Sequence, residues 1–452
     1  MMSRRQHIIL MIALCLWALG FNVAQPAVSS VCNNFAGGTD NWGADVNLTP
    51  SLNNSFTGTT MHNMVFISGG PAAVFYGFDS GPPPKWNIYY SSSIDNWTQY
   101  TKISNCSSCI GLNSSKYPSI ALDHSNNIQA VWMAEDGSAI NDIEIFYSAF
   151  KDGAWAAPLN ISNNEVDDYY PDIVSDSSSH IHISWFKENG EKYELKYLEG
   201  FSGVWLANET VKSNITLNYS KGPSLAVSGD RTIGVAYTER NESYHEVNSI
   251  VVVEKVSRNW VMSRFTYNLS NVIIPQIKYD GAGNLHLIYI NYNYSTLDYG
   301  VFYMLKTGAG WGQPLNISSS KSEVEYASFD IDVNGRIHIV YSQRDDSYLE
   351  DYELFYLNNT RGSFMIPENI TANDINDHRP SITLDSDGYA HILYYLSLDD
   401  RNYVSYIKSL NQVSVTSNVN LVVILIIAGT VIVLSVSIFW LKVKEKWHKS
   451  LR

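Results

Sequence analysis

A unit of 52 or 53 residues recurs along this chain, and it constrains the fold more than any other feature. Five units start with a proline two residues before an apolar residue, and a sixth starts with alanine: Pro118, Pro171, Pro223, Pro275, Ala327 and Pro380. An aromatic residue follows fourteen positions after each start, at Trp132, Trp185, Tyr237, Tyr289, Tyr341 and Tyr394. A constant period of this length indicates copies of one supersecondary unit packed side by side.

Each unit contains the pattern of four short β-strands. The proline-led strand is followed by alternating runs such as Ile337–Tyr341 and Glu353–Tyr356, and a tryptophan-led strand such as Trp311–Ser318 ends the unit. Alternation with a period of two predicts half-buried strands, and no amphipathic helical pattern separates them. Four strands in roughly 50 residues predict an all-β chain in which each unit is one blade of a β-propeller.

The number of units predicts seven blades. Residues 63–104 supply one more unit, whereas the last unit, from Pro380, lacks its tryptophan-led strand. Residues 42–49 match that strand, because Asn47 follows Trp42 by five positions as Asn316 follows Trp311. We therefore predict that this N-terminal strand completes the last blade and closes the ring, which leaves no long edge exposed. The predicted blades are 63–104, 117–162, 170–213, 222–268, 274–318, 326–371, and 380–409 with 42–49.

The N-terminus has the pattern of a secretory signal peptide. Two arginines precede an apolar run and a stretch of small residues, which predicts a signal peptide at 1–27. The alternative is that the short apolar run is retained as an uncleaved anchor.

A second apolar run predicts a membrane anchor at the other end. Residues 421–441 carry no charge and are long enough to cross ~30 Å of hydrocarbon as a helix. The basic tail 442–452 is predicted to be cytoplasmic by the positive-inside rule. A propeller ectodomain at 28–409 and a short stalk at 410–420 then lie outside the cell.

Charge and sequons indicate a cell-surface glycoprotein. The net charge of −14 argues against a nucleic-acid partner, because phosphate neutralisation requires a basic surface. Fifteen Asn-x-Ser/Thr sequons on the predicted extracellular side predict N-linked glycans. They are Asn47, Asn53, Asn96, Asn105, Asn113, Asn160, Asn208, Asn214, Asn218, Asn241, Asn268, Asn293, Asn316, Asn358 and Asn369.

Cysteines and histidines give no sign of a cofactor or metal. Cys106 and Cys109 predict a local loop disulfide, and Cys32 is left free or pairs between chains. A zinc site would need more ligands. Four histidines occupy the same strand position in four blades, at His182, His286, His338 and His391. Equivalent positions are spread around a ring, so we predict packing or hydrogen bonding rather than metal ligation.

The repeated pattern is a series of motifs: Pro-x-Ile, an Asp at a hairpin, Ile-His-Ile-x-Tyr and Gly-x-Trp. This series resembles the Asp-box (BNR-type) repeats of sialidase-like β-propellers, and the resemblance covers nearly the whole ectodomain. The resemblance implies the propeller fold, whereas the functions of the family include glycosidases, lectins and scaffolds. Turns such as Gly153-Ala-Trp155 lack the Ser/Asp pair of an Asp-box, and Arg379-Pro380 lacks the Ile of the family's Arg-Ile-Pro start. Arg344 and Arg401 are candidates for the same face. These departures imply a degenerate, non-catalytic member on an archaeal-type or other glycosylated cell surface.

Loops at one end of a propeller predict the binding face, because a sheet scaffold holds them in place. The predicted ligand-binding residues are Tyr117, Asp168, Tyr170, Tyr326, His378 and Arg379. The alternative is that these tyrosines only cover the ends of the blades. The leading hypothesis is a membrane-anchored binding or adhesion protein that recognises surface glycans or another envelope protein. A membrane-anchored sialidase-like glycoside hydrolase is the alternative, and a structural component of a glycoprotein coat is a third possibility.

Overall fold

A computed structural model describes residues 41–52, 54–57, 62–80, 84–104, 114–137, 142–217, 222–240, 248–266, 270–293, 298–318, 323–344, 351–360 and 362–413. These residues form seven separate antiparallel sheets and one short 3₁₀ turn, Ser93–Asp95. The predicted all-β, seven-bladed propeller is therefore confirmed. We number the blades 1 to 7 in the order of their inner strands along the chain.

Each blade has four strand positions, from the inner strand beside the axis to the outer strand at the side wall. The inner strands are Ser55–Phe56 with Met64–Ile67, Ser115–Leu122, Asp168–Ser175, Ser224–Val227, Ser270–Tyr279, Val324–Ile331 and Asn376–Leu384. The second strands are Gly70–Asp79, Ile128–Glu135, His180–Asn189, Ile233–Arg240, Leu285–Asn293, Ile337–Arg344 and Ala390–Leu398. The third strands are Lys85–Ser92, Ile143–Lys151, Lys192–Phe201, Asn248–Val256, Asp298–Thr307, Tyr352–Thr360 and Arg401–Lys408.

The outer strands are shorter and often broken. They are Tyr100–Lys102, Ala154–Trp155 with Leu159–Asn160, Val204–Trp205 with Glu209–Ile215, Asn259–Thr266, Gly310–Trp311 with Leu315–Asn316, Ser363–Phe364 with Glu368–Asn369, and, in blade 7, Val46–Asn47. We call the end with the second-to-third hairpins and the blade-to-blade connections the upper end. The lower end carries the other two sets of turns.

The recurring tryptophans pack one blade on the preceding one. In every blade an aromatic ring on the outer strand or just before it contacts an aromatic ring of the preceding blade, with centroids 4.8–5.4 Å apart and mostly edge-on. Such pairs stabilise by about 0.5–1.5 kcal/mol each beyond the area that they bury. The pairs are Trp97–Tyr406, Trp155–Tyr90, Trp205–Tyr147, Trp260–Tyr197, Trp311–Phe265, Phe364–Tyr303 and Trp42–Tyr356.

The N-terminal segment lies along the third strand of blade 7. Val46 and Asn47 pair antiparallel with Tyr406 and Ser405, and the Leu48 N–H donates to the Val404 carbonyl at 2.8 Å. Trp42 is buried at 2% exposure against blade 6. In the sheet of blade 7 the strand order is Val46–Asn47, Arg401–Lys408, Ala390–Leu398 and Asn376–Leu384.

The four repeated histidines are buried hydrogen-bonding groups, as their spread around the ring predicts. In blade 7, for example, His391 Nδ1 lies 2.6 Å from the Tyr406 hydroxyl and Nε2 lies 3.0 Å from Asp385. Blade 2 has Gln129 in this position, and its amide bonds to Asp123 and Tyr147. Among the residues described, no group of three or more His, Cys, Asp or Glu side chains is arranged to hold a metal ion.

Several predictions from the sequence concern residues outside the described ranges. These are the signal peptide 1–27, the cysteines Cys32, Cys106 and Cys109, the apolar segment 421–441 and tail 442–452, and the sequons Asn53, Asn105, Asn113, Asn218, Asn241 and Asn268. Within the described part of the chain no helix is long and apolar enough to cross a membrane.

Candidate functional site

The proline repeat marks a bulge in the inner strands that reshapes the upper end of the axis. The residue before the proline has a positive φ at Tyr117, Tyr170, Ile274 and Arg379, with values of 46–53°. The pairing register with the second strand shifts at each of these points. A bulge re-aims side chains, and left-handed backbone at a non-glycine residue costs about 1–3 kcal/mol and is concentrated at functional sites.

Aromatic rings from four blades form a continuous arc around this end of the axis. Ring centroids lie 5.1 Å apart for Tyr170–Tyr117, 5.4 Å for Tyr117–Tyr76, 5.4 Å for Tyr76–Phe56 and 5.0 Å for Phe56–Tyr395. Tyr117, Tyr170 and Phe56 remain partly exposed, whereas Tyr76 and Tyr395 are buried at 5% and 8% exposure. We call this arc, together with the charged residues beside it, the axial site.

Arg379 is the cation of the axial site. Its guanidinium lies over the Tyr395 ring at 5.9 Å and interacts electrostatically with Tyr76, Tyr326 and Glu325. The Nε atom is buried and has no hydrogen-bond partner among the described residues. Thr57 donates to the Arg379 carbonyl at 3.1 Å, which fixes the bulge of blade 7 against blade 1. A buried guanidinium donor without a partner is costly, so an anion that accepts from it would be bound favourably.

Two histidines at the axial site are held by carboxylates. His62 Nδ1 lies 2.9 Å from Asp172, which also accepts from the Ser119 hydroxyl at 2.8 Å and the Leu225 N–H at 2.9 Å. His378 Nδ1 lies 2.6 Å from Glu325, and its ring stacks on Tyr395. Asp172 is fully buried and links the inner strands of blades 2, 3 and 4, whereas Glu325 keeps a 27% exposed side chain.

Four tyrosines at the site, Tyr76, Tyr117, Tyr326 and Tyr395, keep their protons at physiological pH. Burial raises the pKa of Tyr395 to about 12, although the Arg379 charge opposes the shift. Burial also raises the pKa of Tyr76, Tyr117 and Tyr326 above its usual value. Each therefore presents a hydroxyl that can donate a hydrogen bond, and not a phenolate.

The structure brings together five of the six predicted ligand-binding residues: Tyr117, Tyr170, Tyr326, His378 and Arg379. Asp168 differs, because it is fully buried between blades 2 and 3, where it accepts from Trp185 Nε1 at 2.5 Å and from the Asn164 amide. Burial raises its pKa to about 6. Asp168 is a packing carboxylate rather than a surface ligand group. Tyr326 is also enclosed, at 1% exposure.

Sequence reasoning missed Tyr76, Phe56, Tyr395, His62 and Asp172, and it did not single out Glu325. Tyr395 and Glu325 are adjacent to residues that the repeat or the predicted face singled out, at Tyr394 and Tyr326. Asp172 follows Pro171 directly, but no pattern shows that a bulge turns this residue toward the axis. The other candidate arginines lie at the same upper end: Arg344 pairs in register with Tyr352 at the end of a strand, and Arg401 is exposed on a hairpin.

No protein-family model matches the chain, and neither does any curated protein. Solved structures share its fold. An ulvan lyase of polysaccharide lyase family PL25 superimposes with a TM-score of 0.54 and 9% identity, covering 82% of this chain and 94% of the lyase. The polysaccharide lyase Uly1 gives 0.52 and 10%, covering 86% and 94%. A sialidase of Trypanosoma rangeli gives 0.45 and 10%, covering 86% and 60%. At these identities the likeness to the two lyases shows the fold alone.

Proposed function

We propose that this chain is a glycosylated, membrane-anchored surface protein whose propeller binds an acidic glycan at the axial site. The anchoring rests on the uncharged run 421–441 and its basic flank, and the glycosylation rests on the fifteen sequons. Binding to glycans of a neighbouring cell or envelope protein would make the chain an adhesion module.

The guanidinium of Arg379, whose buried Nε has no hydrogen-bond partner in the described part of the chain, is the observation that carries the proposal. A uronate or sialate carboxylate offers the planar, bidentate acceptor that a guanidinium fits best. Tyr117 and Tyr170 are partly exposed beside it, and their rings can stack on the apolar face of a sugar. The hydroxyl of Tyr117 can also hydrogen-bond to the sugar hydroxyls. An acidic saccharide is therefore the ligand class that uses both the charge and the aromatic arc.

Substitution of Arg379 tests the proposed ligand class. We expect the Arg379→Gln variant of the full chain in detergent to bind polygalacturonate roughly tenfold to hundredfold more weakly, because a hydrogen bond to a charged group contributes about 1.5–3 kcal/mol. Isothermal titration calorimetry measures the change. Arg401→Gln is the matched control, because Arg401 is an exposed arginine at the same upper end.

The outcomes separate acidic-glycan binding from its alternatives. Loss of binding in Arg379→Gln with retention in Arg401→Gln supports the proposal. Equal losses in both variants would indicate nonspecific attraction to a polyanion. Binding of neutral dextran with the same affinity as polygalacturonate would contradict the role of Arg379.

Eliminative cleavage of the same glycan is a second candidate function, and the His62–Asp172 pair favours it. A histidine held by a carboxylate is suited to take the proton next to the uronate carboxylate. The released electron pair would form a carbon–carbon double bond as the glycosidic C–O bond breaks, and the leaving oxygen would take a proton from a tyrosine hydroxyl such as that of Tyr117. Arg379 would neutralise the carboxylate. Two solved structures with this fold are polysaccharide lyases.

A product assay tests cleavage separately from binding. Each elimination leaves an unsaturated uronate, whose ultraviolet absorbance is followed directly while the full chain is mixed with polygalacturonate. We expect the signal to disappear in His62→Gln, whereas binding is retained. Binding without any rise in absorbance in the wild-type chain would reject cleavage of this substrate and leave the binding proposal intact.

A further inference from the structure

We infer that the lower end of the propeller docks on the lipid surface of the membrane that anchors the chain, so that the axial site faces away from it. This inference rests on the membrane anchor of the proposed function, but not on the glycan ligand. Three features of the described residues carry it: the exit of the chain, the distribution of exposed apolar side chains, and the positions of the sequons.

The chain leaves the propeller at its lower end. The last third strand, Arg401–Lys408, runs from the upper end to the lower end. The Leu410 N–H then donates to the Asn41 carbonyl, and the Val413 N–H donates to the carbonyl of Gly388 in a lower turn, both at 2.8 Å. Seven residues separate Val413 from the uncharged run that starts at Leu421. At about 3.5 Å per residue, this linker holds the lower end within roughly 30 Å of the bilayer.

Exposed large apolar side chains are more frequent at the lower end than at the upper end. Of the fourteen in the described residues, seven lie on or between the outer-strand segments of the side wall, and six lie in lower turns or at the strand ends beside them: Ile94 at 63% exposure, Phe201 at 49%, Val204 at 69%, Val256 at 48%, Val333 at 88% and Leu410 at 57%. At the upper end, among the described residues, only Val166 is comparable, at 38%. Of the two ends, the lower one therefore carries the exposed apolar surface that a partner or a membrane would contact.

The sequons leave this end almost free of sugar. Of those in the described residues, Asn47, Asn160, Asn208, Asn214, Asn316 and Asn369 lie on or beside outer strands of the side wall, and Asn293 ends a second strand at the upper end. Asn358 lies on a third strand toward the lower end, but it is buried at 9% exposure. Asn96 lies in a connection of the lower end, at its rim. A glycan-poor, apolar end can approach a lipid headgroup layer, whereas the glycosylated side wall cannot.

Tethering makes weak apolar contacts sufficient for docking. A short linker gives the lower end a millimolar effective concentration at the bilayer surface. The apolar contacts therefore do not have to recruit the propeller to the membrane, and they only have to favour one orientation of it. Exposed side chains such as Val333 and Ile94 can enter the boundary between headgroups and acyl chains, where the apolar face of an interfacial segment lies about 5–10 Å deep. The free propeller and the glycan-bound propeller would dock alike, because the axial site is at the opposite end.

Lipid quenching of a fluorophore tests the orientation in the full chain. The chain is reconstituted into phosphatidylcholine nanodiscs, and a dye on Val333→Cys is compared with a dye on Glu191→Cys, an exposed position on an upper hairpin. We expect lipids brominated in the acyl chains to remove about half or more of the emission at position 333, because a docked side chain lies within the 5–10 Å interfacial layer. Emission at position 191 should be unchanged. The unsubstituted chain gives the background from the native cysteines.

A charge variant distinguishes docking from simple proximity. Ile94→Asp with Leu410→Asp should reverse the quenching at position 333, and the unfolding midpoint should stay unchanged because both side chains are exposed. Equal quenching at positions 333 and 191, or quenching that survives the two aspartates, would overturn the inference. A chain that does not co-elute with the nanodiscs would reject the anchor itself, whereas co-elution without quenching would reject only the docking.

Discussion

Truncation of Trp42 to alanine is expected to lower the free energy of unfolding by about 3–5 kcal/mol, the usual cost of removing a buried tryptophan. The ring is 2% exposed and packs edge-on against Tyr356 of blade 6. Its strand is joined to blade 7 by hydrogen bonds such as Gly43 N–H to the Lys408 carbonyl at 2.8 Å, and not by a hairpin. Loss of the ring should therefore detach the segment, if residues 42–49 close the ring as predicted. Chemical denaturation measures the change.

Hydrogen exchange locates the effect. Detachment exposes the outer edge of the strand Arg401–Lys408, so its amides should exchange faster in Trp42→Ala than in the wild-type chain. Trp311→Ala is the matched control, because Trp311 occupies the same repeat position in blade 5, where a turn joins its strand to the third strand. Unchanged exchange at 401–408, or the same increase in the control, would show that the N-terminal segment does not hold the last blade.

Acidification is expected to destabilise the propeller through its buried histidines. Burial lowers the pKa of His182 and His391 to about 4 and also lowers that of His286 and His338. Unfolded histidines titrate near pH 6.5, so between about pH 6.5 and 4 the unfolded chain binds more protons than the folded chain. Stability is therefore lost as the pH falls through this window, by up to about 3 kcal/mol for each of His182 and His391.

The variant His391→Gln isolates this contribution. Blade 2 already has Gln129 in the equivalent position, bonded to Asp123 and Tyr147, so the amide can replace the ring in the Asp385–Tyr406 contacts. We expect the variant to lose some stability at pH 7, because the His391 ring packs on Phe66, and to gain about 2–3 kcal/mol relative to the wild-type chain at pH 4. Denaturation curves at both pH values give the two differences.

The comparison with the wild-type chain is needed because other groups act in the opposite direction. Burial raises the pKa of Glu144 to about 7 and that of Asp45 to about 6, so these groups favour the folded state in acid and oppose it as the pH rises. Exposed His124 provides the control substitution, His124→Gln. A pH dependence that is the same in His391→Gln and the wild-type chain would mean that this histidine titrates alike in the folded and unfolded states.

The sequence by itself determined the number of blades and the order of strands within each blade. The 52-residue period and the alternation of apolar residues are local properties, and closed packing of identical units leaves few other folds. The same pattern identified residues 42–49 as an outer strand without a blade of its own. The recurring tryptophan, which is Phe364 in blade 6, has the same role in every unit, because its ring contacts the preceding blade.

Only the tertiary structure decided which residues form the axial site. Arg379, Tyr76, Tyr117 and Tyr170 come from blades 7, 1, 2 and 3, and only the circular arrangement brings them together. The sequence pattern does not predict the different positions of Asp168 and Asp172. Both lie on one inner strand, yet Asp168 packs between two blades and Asp172 faces the axis beside His62. The bulge between Tyr169 and Asp172 adds a residue to the strand, which changes the face that each later side chain occupies.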